Sequence, residues 1–136
     1  MNSPYIFAIS GEKNSGKTTL IEAMLPIFKE NGLRTAVIKH DGHSFEPDVP
    51  GTDTYRFLNS GACGTAVFDS AKFMLVKYCS ISEKELLAAF PDADLILIEG
   101  LKNSDYPKIF LKSGEWRDPR KTADEILELM RRGETK

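Results

Sequence analysis

The sequence predicts an α/β protein, a three-layer α/β/α sandwich built around a mainly parallel sheet. Strand-like and helix-like segments alternate from the first residues, which is typical of parallel strands joined by helical crossovers. The continuous apolar run Leu95–Ile98 lies between acidic residues, as expected for a central strand covered on both faces. A glycine-rich segment, residues 11–18, joins the first predicted strand to the first predicted helix. These three observations favour the same fold class.

The first half of the chain is predicted to hold two strands and two helices. They are, in order, a strand over Tyr5–Ile9, a helix over Lys17–Glu30, a strand over Thr35–Lys39 and a helix over Asp53–Ser60. The long helix carries apolar side chains on one face, and Asn31-Gly32 supplies its left-handed stop. The polar segment 40–52 has no obvious element, and loops of that length in compact domains are usually functional or disordered.

The second half is predicted to hold four strands and two helices. They are strands over Gly64–Phe68 and Lys72–Tyr78, a helix from the Ser82/Glu85 capping box through Phe90, a strand over Leu95–Ile98, a strand over Lys108–Leu111 and a C-terminal helix. A second capping box, Thr122 and Glu125, is expected to open that last helix. Apolar residues at helical spacing from Ala123 to Met130 give it one buried face.

Length and composition bound the class of protein. The chain has 136 residues, of which 41% are hydrophobic and 28% charged, so we expect a single domain over residues 1–136. The net charge of −2 argues against a nucleic-acid-binding surface. No apolar run approaches the roughly 20 residues that span a bilayer, and no signal peptide is evident, so a cytoplasmic protein is expected. Cys63 and Cys79 lack C-x-x-C spacing and are expected to be buried thiols.

Residues 11–18 read G-E-K-N-S-G-K-T, which is the phosphate-binding pattern G-x-x-x-x-G-K-[ST]. Gly11 and Gly16 allow a tight turn in which backbone N–H groups approach phosphate oxygens. The positive end of the following helix adds about half a charge there. Lys17 supplies a point charge for the β- and γ-phosphates, and Thr18 offers a hydroxyl to Mg²⁺. The candidate nucleotide-binding residues of this loop are Gly11, Asn14, Ser15, Gly16, Lys17, Thr18 and Thr19.

Glu99 is the candidate catalytic acid and, with Thr18, the candidate metal ligand. It follows the buried strand and precedes Gly100, where an acidic residue in phosphate-loop NTPases lies near the metal and the γ-phosphate and orients water. The alternative is a strand-end carboxylate that faces solvent. Asp94 begins the same strand and is expected about 17 Å away, at ~3.3 Å per residue, so it should not share the site.

The loop that follows the second strand concentrates polar side chains. Its candidate ligand-binding residues are His40, Asp41 and Asp53, and Lys102 after the buried strand is a further candidate. His40 and His43 have a spacing compatible with a transition-metal site, although a polar loop that closes over nucleotide is the simpler interpretation. A guanine-reading N-K-x-D motif is absent, and K-N-S-D at 102–105 has the same residue types in another order. The choice between guanine and adenine therefore stays open.

Together these motifs resemble the molybdopterin-guanine dinucleotide biosynthesis adaptor family, MobB. The resemblance is carried by the loop 11–19, by V-I-K-H-D-G-H at 37–43 and by D-V-P-G-T-D-T-Y-R at 48–56. It continues with G-A at 61–62, L-I-E-G-L-K at 97–102 and Y-P-K at 106–108. The phosphate loop is shared by a large superfamily, whereas K-H-D-G-H and P-G-x-D-[ST] in this order are far more specific.

The resemblance implies a P-loop NTPase fold and a cytoplasmic, dimeric GTP-binding protein with weak GTPase activity. In that family the adaptor assists the guanylyltransferase that joins GMP to molybdopterin, which forms the guanine dinucleotide form of molybdenum cofactor. Carried onto this chain, it implies that Lys17 and Thr18 bind phosphate and Mg²⁺ with Glu99 as the acidic partner. The residues that it places along the second loop are His40, Asp41 and Asp53. Direct binding of molybdopterin is left open.

Two other functions fit the same scaffold. A metal-delivery GTPase for another metallocentre is suggested by His40 and His43. A small-molecule kinase would need an arginine-bearing lid, for which Arg117 and Arg120 are the clustered candidates. Slow hydrolysis is expected in the leading interpretation because no arginine of the sequence is placed as an arginine finger, which is worth roughly 10³–10⁵ in rate. Arg56 is the nearest candidate, and packing on its own helix is the alternative role for it.

Overall fold

A computed structural model of the protein describes residues 3–40, 45–100 and 104–134. The chain divides into two compact units, and each is described by itself below. One unit comprises residues 1–40 and 84–136, and the other comprises residues 41–83. The single domain expected from the chain length stays a prediction.

Ten elements are present in the described residues. In chain order they are β1 (Tyr5–Gly11), α1 (Lys17–Glu30), β2 (Thr35–Lys39), α2 (Asp53–Asn59), β3 (Gly64–Phe68), β4 (Phe73–Lys77), α3 (Glu83–Ala88), β5 (Leu95–Glu99), β6 (Lys108–Leu111) and α4 (Pro119–Glu134). The α/β class and the mainly parallel sheet predicted from the sequence are confirmed. No helix in this part of the chain combines the length and the apolar character needed to cross a bilayer.

The first unit is built on a four-stranded sheet with the order β2-β5-β1-β6, in which every neighbouring pair is parallel. The register pairs Ile9 of β1 with Glu99 of β5, and Glu99 in turn with Lys39 of β2. Because all strands run in the same direction, their carboxyl ends share one edge of the sheet. Ligands of open α/β sheets bind outside that edge, and the 11–18 loop begins there.

The core of this unit lies between the sheet and a pair of helices. Helices α1 and α4 pack against each other. Their buried side chains join those of the central strands in one apolar cluster, which contains Phe7, Ile9, Leu20, Ile21, Met24, Ile27, Phe28, Leu95, Leu97, Leu111, Ala123 and Ile126. On the opposite face, Ile96 and Ile98 of β5 are also buried. Burial on both faces explains why β5 is a continuous apolar run.

The start of α4 differs from the predicted capping box. The helix begins at Pro119, three residues before Thr122, so the expectation that Thr122 opens it is wrong. Asp118 fills that role, since its Oδ1 accepts a hydrogen bond from the Arg120 N–H at 2.9 Å. Thr122 lies in the first turn, where its hydroxyl donates to the Asp118 carbonyl. A proline at the first helical position has no N–H to leave unsatisfied.

Helix α3 ends two residues before the predicted Phe90. The N–H groups of Ala89 and Phe90 reach back only three residues, to the carbonyls of Leu86 and Leu87. Such i→i−3 bonds tighten the last turn of a helix. Pro91 follows and cannot extend it.

The second unit contains α2 and an antiparallel hairpin, β3 with β4. Thr52 caps α2, since its Oγ1 accepts from the Tyr55 N–H at 3.3 Å. The turn between the strands is closed by Asp69, whose carboxylate accepts from the backbone N–H groups of Ala71 and Lys72. Most large apolar side chains of the hairpin are exposed. The expectation of buried thiols is wrong, because Cys63 and Cys79 at the ends of the hairpin strands are free and exposed.

Candidate functional site

The 11–18 loop connects β1 to α1 at the carboxyl edge of the sheet. Gly16, the residue before the helix, has φ 93°, and Asn14 has φ 58°, a region that residues other than glycine seldom adopt. The first N–H groups of a helix have no acceptor within it, and no side chain caps those of α1. The loop therefore presents free donors together with the positive end of the helix dipole.

Gly11 allows the loop to pass close to the neighbouring strand. A Cβ atom at this position would lie 2.4 Å from the carbonyl oxygen of Leu111 and 2.8 Å from Oγ of Ser15. Both distances are far inside van der Waals contact, so only glycine fits. The glycine that the phosphate-loop pattern requires is thus also needed where β1 meets β6.

Ser15 carries a buried hydroxyl that lacks a partner. The residue is only 8% exposed, and its Oγ has no hydrogen-bond partner among the described residues. An unsatisfied buried polar group costs about 1–3 kcal/mol. An anion held by this loop would supply the missing acceptor, so the residues present fit a phosphate group.

Lys17 bends back over the loop that precedes it. Its Nζ donates to the carbonyl of Gly11 at 3.1 Å, and the side chain is half-buried. This contact holds the ammonium group beside the loop instead of extending it into solvent. A positive charge at this position complements the phosphate oxygens that the loop would bind.

Thr18 and Glu99 meet although they are 81 residues apart in the chain. The Thr18 hydroxyl donates to Glu99 Oε1 at 3.0 Å. Glu99 is 9% exposed, so the alternative of a strand-end carboxylate that faces solvent is wrong. A hydroxyl and a carboxylate are the hard oxygen ligands that Mg²⁺ prefers. The pair therefore fits a magnesium ion beside the phosphate loop.

Backbone hydrogen bonds fix the end of β5 that carries Glu99. The Gly100 N–H donates to the Ile9 carbonyl at 2.9 Å, and the His40 N–H donates to the Glu99 carbonyl at 3.0 Å. Gly100 has φ 115°, and a Cβ there would lie 3.2 Å from the carbonyl oxygen of His40. The His40 side chain is exposed. His40 is thus brought to the site through its backbone.

Ser10 is a site residue that sequence reasoning missed. It is fully buried, and its Oγ donates to the Gly100 carbonyl at 2.7 Å. This bond ties the end of β1 to the residue that follows Glu99. A single polar residue at the end of an apolar strand, directly before Gly11, was the signal that could have found it.

Glu12 is a second missed residue. Its Oε1 accepts from the Ser113 N–H at 3.0 Å, and its own N–H donates to the Leu111 carbonyl at 3.0 Å. These bonds join the phosphate loop to the segment after β6. The contact forms because β6 lies next to β1 in the sheet, and no local pattern in the sequence predicts that strand order.

The other predicted site residues are distributed as follows. Asn14 and Thr19 are exposed, in the loop and in the first turn of α1. Asp53 is exposed and begins α2 in the second unit. Asp41, His43 and Lys102 lie outside the described residues. Within the described ranges, no three His, Cys, Asp or Glu side chains converge on a common metal position.

The arginines proposed for a kinase lid are engaged elsewhere in the first unit. Arg117 Nε donates to Thr122 Oγ1 at 3.2 Å and its Nη2 to Glu125 Oε2 at 3.0 Å. Arg120 Nη2 lies 3.9 Å from Glu30 Oε2. Both guanidinium groups therefore pair with carboxylates on α4 and α1.

Comparison with known proteins finds similar sequences and a similar fold. The family model described as molybdopterin guanine dinucleotide synthesis protein B matches residues 6–130. A probable molybdopterin-guanine dinucleotide biosynthesis adapter protein of Bacillus subtilis is 37% identical over 112 residues, which cover 79% of this chain and 65% of the relative. The corresponding Escherichia coli adapter protein is 33% identical over 112 residues, with coverages of 78% and 64%.

A solved structure shows the same likeness in three dimensions. The crystal structure of Bacillus subtilis MobB matches with a TM-score of 0.66 at 37% identity, covering 79% of this chain and 67% of that one. The chain spans about two thirds of the length of the curated relatives that it matches, 65% and 64%.

Proposed function

This chain belongs to the molybdopterin guanine dinucleotide synthesis protein B family, and from that premise we propose that it is a GTP-binding adaptor in molybdenum cofactor biosynthesis. In this proposal it assists the guanylyltransferase that produces the guanine dinucleotide form of the cofactor. It is at most a slow GTPase. The observation that carries the nucleotide-binding part is the Thr18–Glu99 contact of 3.0 Å beside the loop 11–18.

Binding of the triphosphate is supported by three features of the loop 11–18 and the start of α1. They are the uncapped N-terminus of α1, the orphaned hydroxyl of Ser15 and the ammonium group of Lys17. Each would complement negative charge, and together they form an anion site of the phosphate-loop type. The residues proposed to contact the phosphates are Gly11, Asn14, Ser15, Gly16, Lys17, Thr18 and Thr19.

Mg²⁺ would be held by Thr18 and Glu99, with the phosphates and water completing its shell. When bound, the ion would neutralise charge on the phosphates during hydrolysis. Glu99 would orient the attacking water. Slow hydrolysis is proposed from family membership, and an arginine finger would be worth roughly 10³–10⁵ in rate.

Guanine as the base, the guanylyltransferase as the partner, a homodimer and a cytoplasmic location are proposals that rest on family membership. His40, Asp41, Asp53 and Lys102 are proposed as further nucleotide contacts, and direct molybdopterin binding is left open. The hairpin of the second unit offers a candidate dimer surface, since Phe68, Phe73 and Leu75 are exposed there. No feature of the described residues specifically favours a metal-delivery GTPase or a small-molecule kinase.

Replacement of Lys17 tests the phosphate site. Lys17→Ala should weaken GTP binding by roughly 10- to 150-fold, since hydrogen bonds to charged groups contribute about 1.5–3 kcal/mol. Calorimetric titration with GTP and Mg²⁺ measures the loss. Lys13→Ala is the matched control, because Lys13 is an exposed lysine of the same loop. Equal GTP affinity in the wild type and Lys17→Ala would overturn the proposed site.

Replacement of Glu99 tests its catalytic role. Glu99→Gln keeps an acceptor for the Thr18 hydroxyl but removes the charge, so GTP should still bind while hydrolysis slows by roughly tenfold or more. Single-turnover phosphate release measures the rate. Asp94→Asn is the control, because Asp94 precedes the same strand at its other end and accepts from the Arg34 N–H at 2.7 Å. An unchanged rate in Glu99→Gln would show that Glu99 positions neither water nor metal.

A further inference from the structure

The segment between β6 and α4, residues 112–118, lies at the same sheet edge as the phosphate loop. It starts with a turn in which the Glu115 N–H donates to the Lys112 carbonyl at 3.1 Å, and Gly114 has φ 86°. That φ value favours glycine and fixes the course of the turn. The segment is therefore a defined loop beside the site.

Contacts anchor this loop on both sides of Trp116. Before it, the Ser113 N–H donates to the Glu12 carboxylate at 3.0 Å, which attaches the loop to the phosphate-binding segment. After it, Arg117 pairs with Thr122 and Glu125 of α4. Trp116 is three residues from Ser113, so their Cα atoms are at most about 11 Å apart, at ~3.6 Å per residue.

Trp116 lies between these anchored residues, and its side chain is exposed. Its exposed fraction is 81%, and it is the only tryptophan in the chain. An indole ring offers a large flat π surface, which stacks on nucleobases without regard to their identity. A nucleotide whose phosphates occupy the loop 11–18 would need a surface for its base at this same edge.

We propose that Trp116 is the stacking platform for the base of the bound nucleotide. The proposal rests on the proposed function, because it needs phosphates in the loop 11–18. Stacking would strengthen the binding of nucleoside triphosphates over inorganic tripolyphosphate. It would add little discrimination between guanine and adenine, since every base has a π face.

Titration with two ligands tests base stacking on Trp116 independently of phosphate binding by the loop 11–18. Calorimetric titrations with GTP and with inorganic tripolyphosphate, both with Mg²⁺, are carried out on the wild type and on Trp116→Ala. GTP affinity should fall about 5- to 150-fold in the variant, whereas tripolyphosphate affinity should not change. Trp116→Phe should restore most of the GTP affinity. Phe90→Ala is the matched control, since Phe90 is 37% exposed and precedes β5, away from the carboxyl ends of the strands.

Fluorescence gives an independent measurement. Because Trp116 is the only tryptophan, indole emission of the wild type should change on GTP binding and stay constant with tripolyphosphate. If GTP binds with equal affinity to the wild type and Trp116→Ala without an emission change, the stacking proposal is wrong and the proposed function stands. If neither ligand binds the wild type, the phosphate site fails and the stacking proposal fails with it.

Discussion

Strands β5 and β4 have nearly the same local pattern and opposite surroundings. The first reads L-I-L-I-E and the second F-M-L-V-K, four apolar residues followed by one charged residue. All five residues of β5 are buried, whereas Phe73, Met74 and Leu75 of β4 are exposed. β5 has a parallel neighbour on each side, and β4 belongs to a two-stranded sheet. Burial thus depends on the number of neighbours that the topology provides.

The two strands show that apolar side chains of similar local sequence form the core in one unit and remain exposed in the other. In the first unit the apolar strand forms the core between α1, α4 and the sheet. In the second unit the hairpin exposes large apolar side chains on a strand pair with open edges, and such surfaces are typical of association sites. Three measurements test this difference between the two units.

The largest expected effect is on stability. Leu97→Ala in β5 should lower the free energy of unfolding by about 2–5 kcal/mol, because it opens a cavity in a filled core. Leu75→Ala in β4 should lower it by less than about 1 kcal/mol, because Leu75 is 59% exposed. Urea unfolding under identical conditions compares the two variants. Equal losses would mean that the two leucines have equivalent surroundings.

The next effect concerns association. If a second copy of the chain covers the hairpin, Phe73→Asp should convert a dimer to a monomer, since it buries a charge in an apolar interface. Sedimentation velocity over a concentration series measures the change. Phe45→Asp is the control, because Phe45 is 70% exposed and lies outside the hairpin. A Phe73→Asp variant with unchanged oligomeric state would exclude the hairpin as the dimer surface.

The smallest effect is a pH dependence of the hairpin turn. The hydrogen bond from the Lys72 side chain, with backbone N–H groups of Ala71 and Lys72, lowers the pKa of Asp69. A depressed pKa in the folded state adds stability above the unfolded-state pKa, and that stability is lost as the pH falls through the folded value. The protection factors of amide protons in β3 and β4, corrected for the intrinsic pH dependence of exchange, should therefore fall on acidification. In Asp69→Asn this acid-dependent change should be reduced; an identical acid response would assign it to other groups.

The sequence predicted the parts of the fold and the site that depend on local pattern. The strand and helix on either side of the loop 11–16 and the buried strand before Glu99 are confirmed because each pattern is short and strongly constrained. The Thr18–Glu99 contact followed from the rule that parallel strands end at one edge. The start of α4 was misplaced because Asp118-Pro119 competes with the Thr122 capping box, and a proline at the first helical position decided the outcome.

Other features could not be predicted, because they depend on which strands lie side by side. The bond between Glu12 and Ser113 requires β6 to pair with β1. Cys63 and Cys79 flank the hairpin and are exposed, and their local sequence does not indicate which neighbours that hairpin has. In both cases the local sequence is compatible with several neighbours, and the tertiary arrangement selects one.

The close approach at Gly11 limits how the site should be probed genetically. A methyl group there would collide with the Leu111 carbonyl at 2.4 Å. Any replacement therefore disturbs the pairing of β1 with β6 as well as the loop 11–18. Loss of function in a Gly11 variant would therefore not distinguish misfolding from loss of ligand binding. Screens for functional residues should therefore give more weight to Lys17, whose side chain contacts the loop and is not part of the core, than to Gly11.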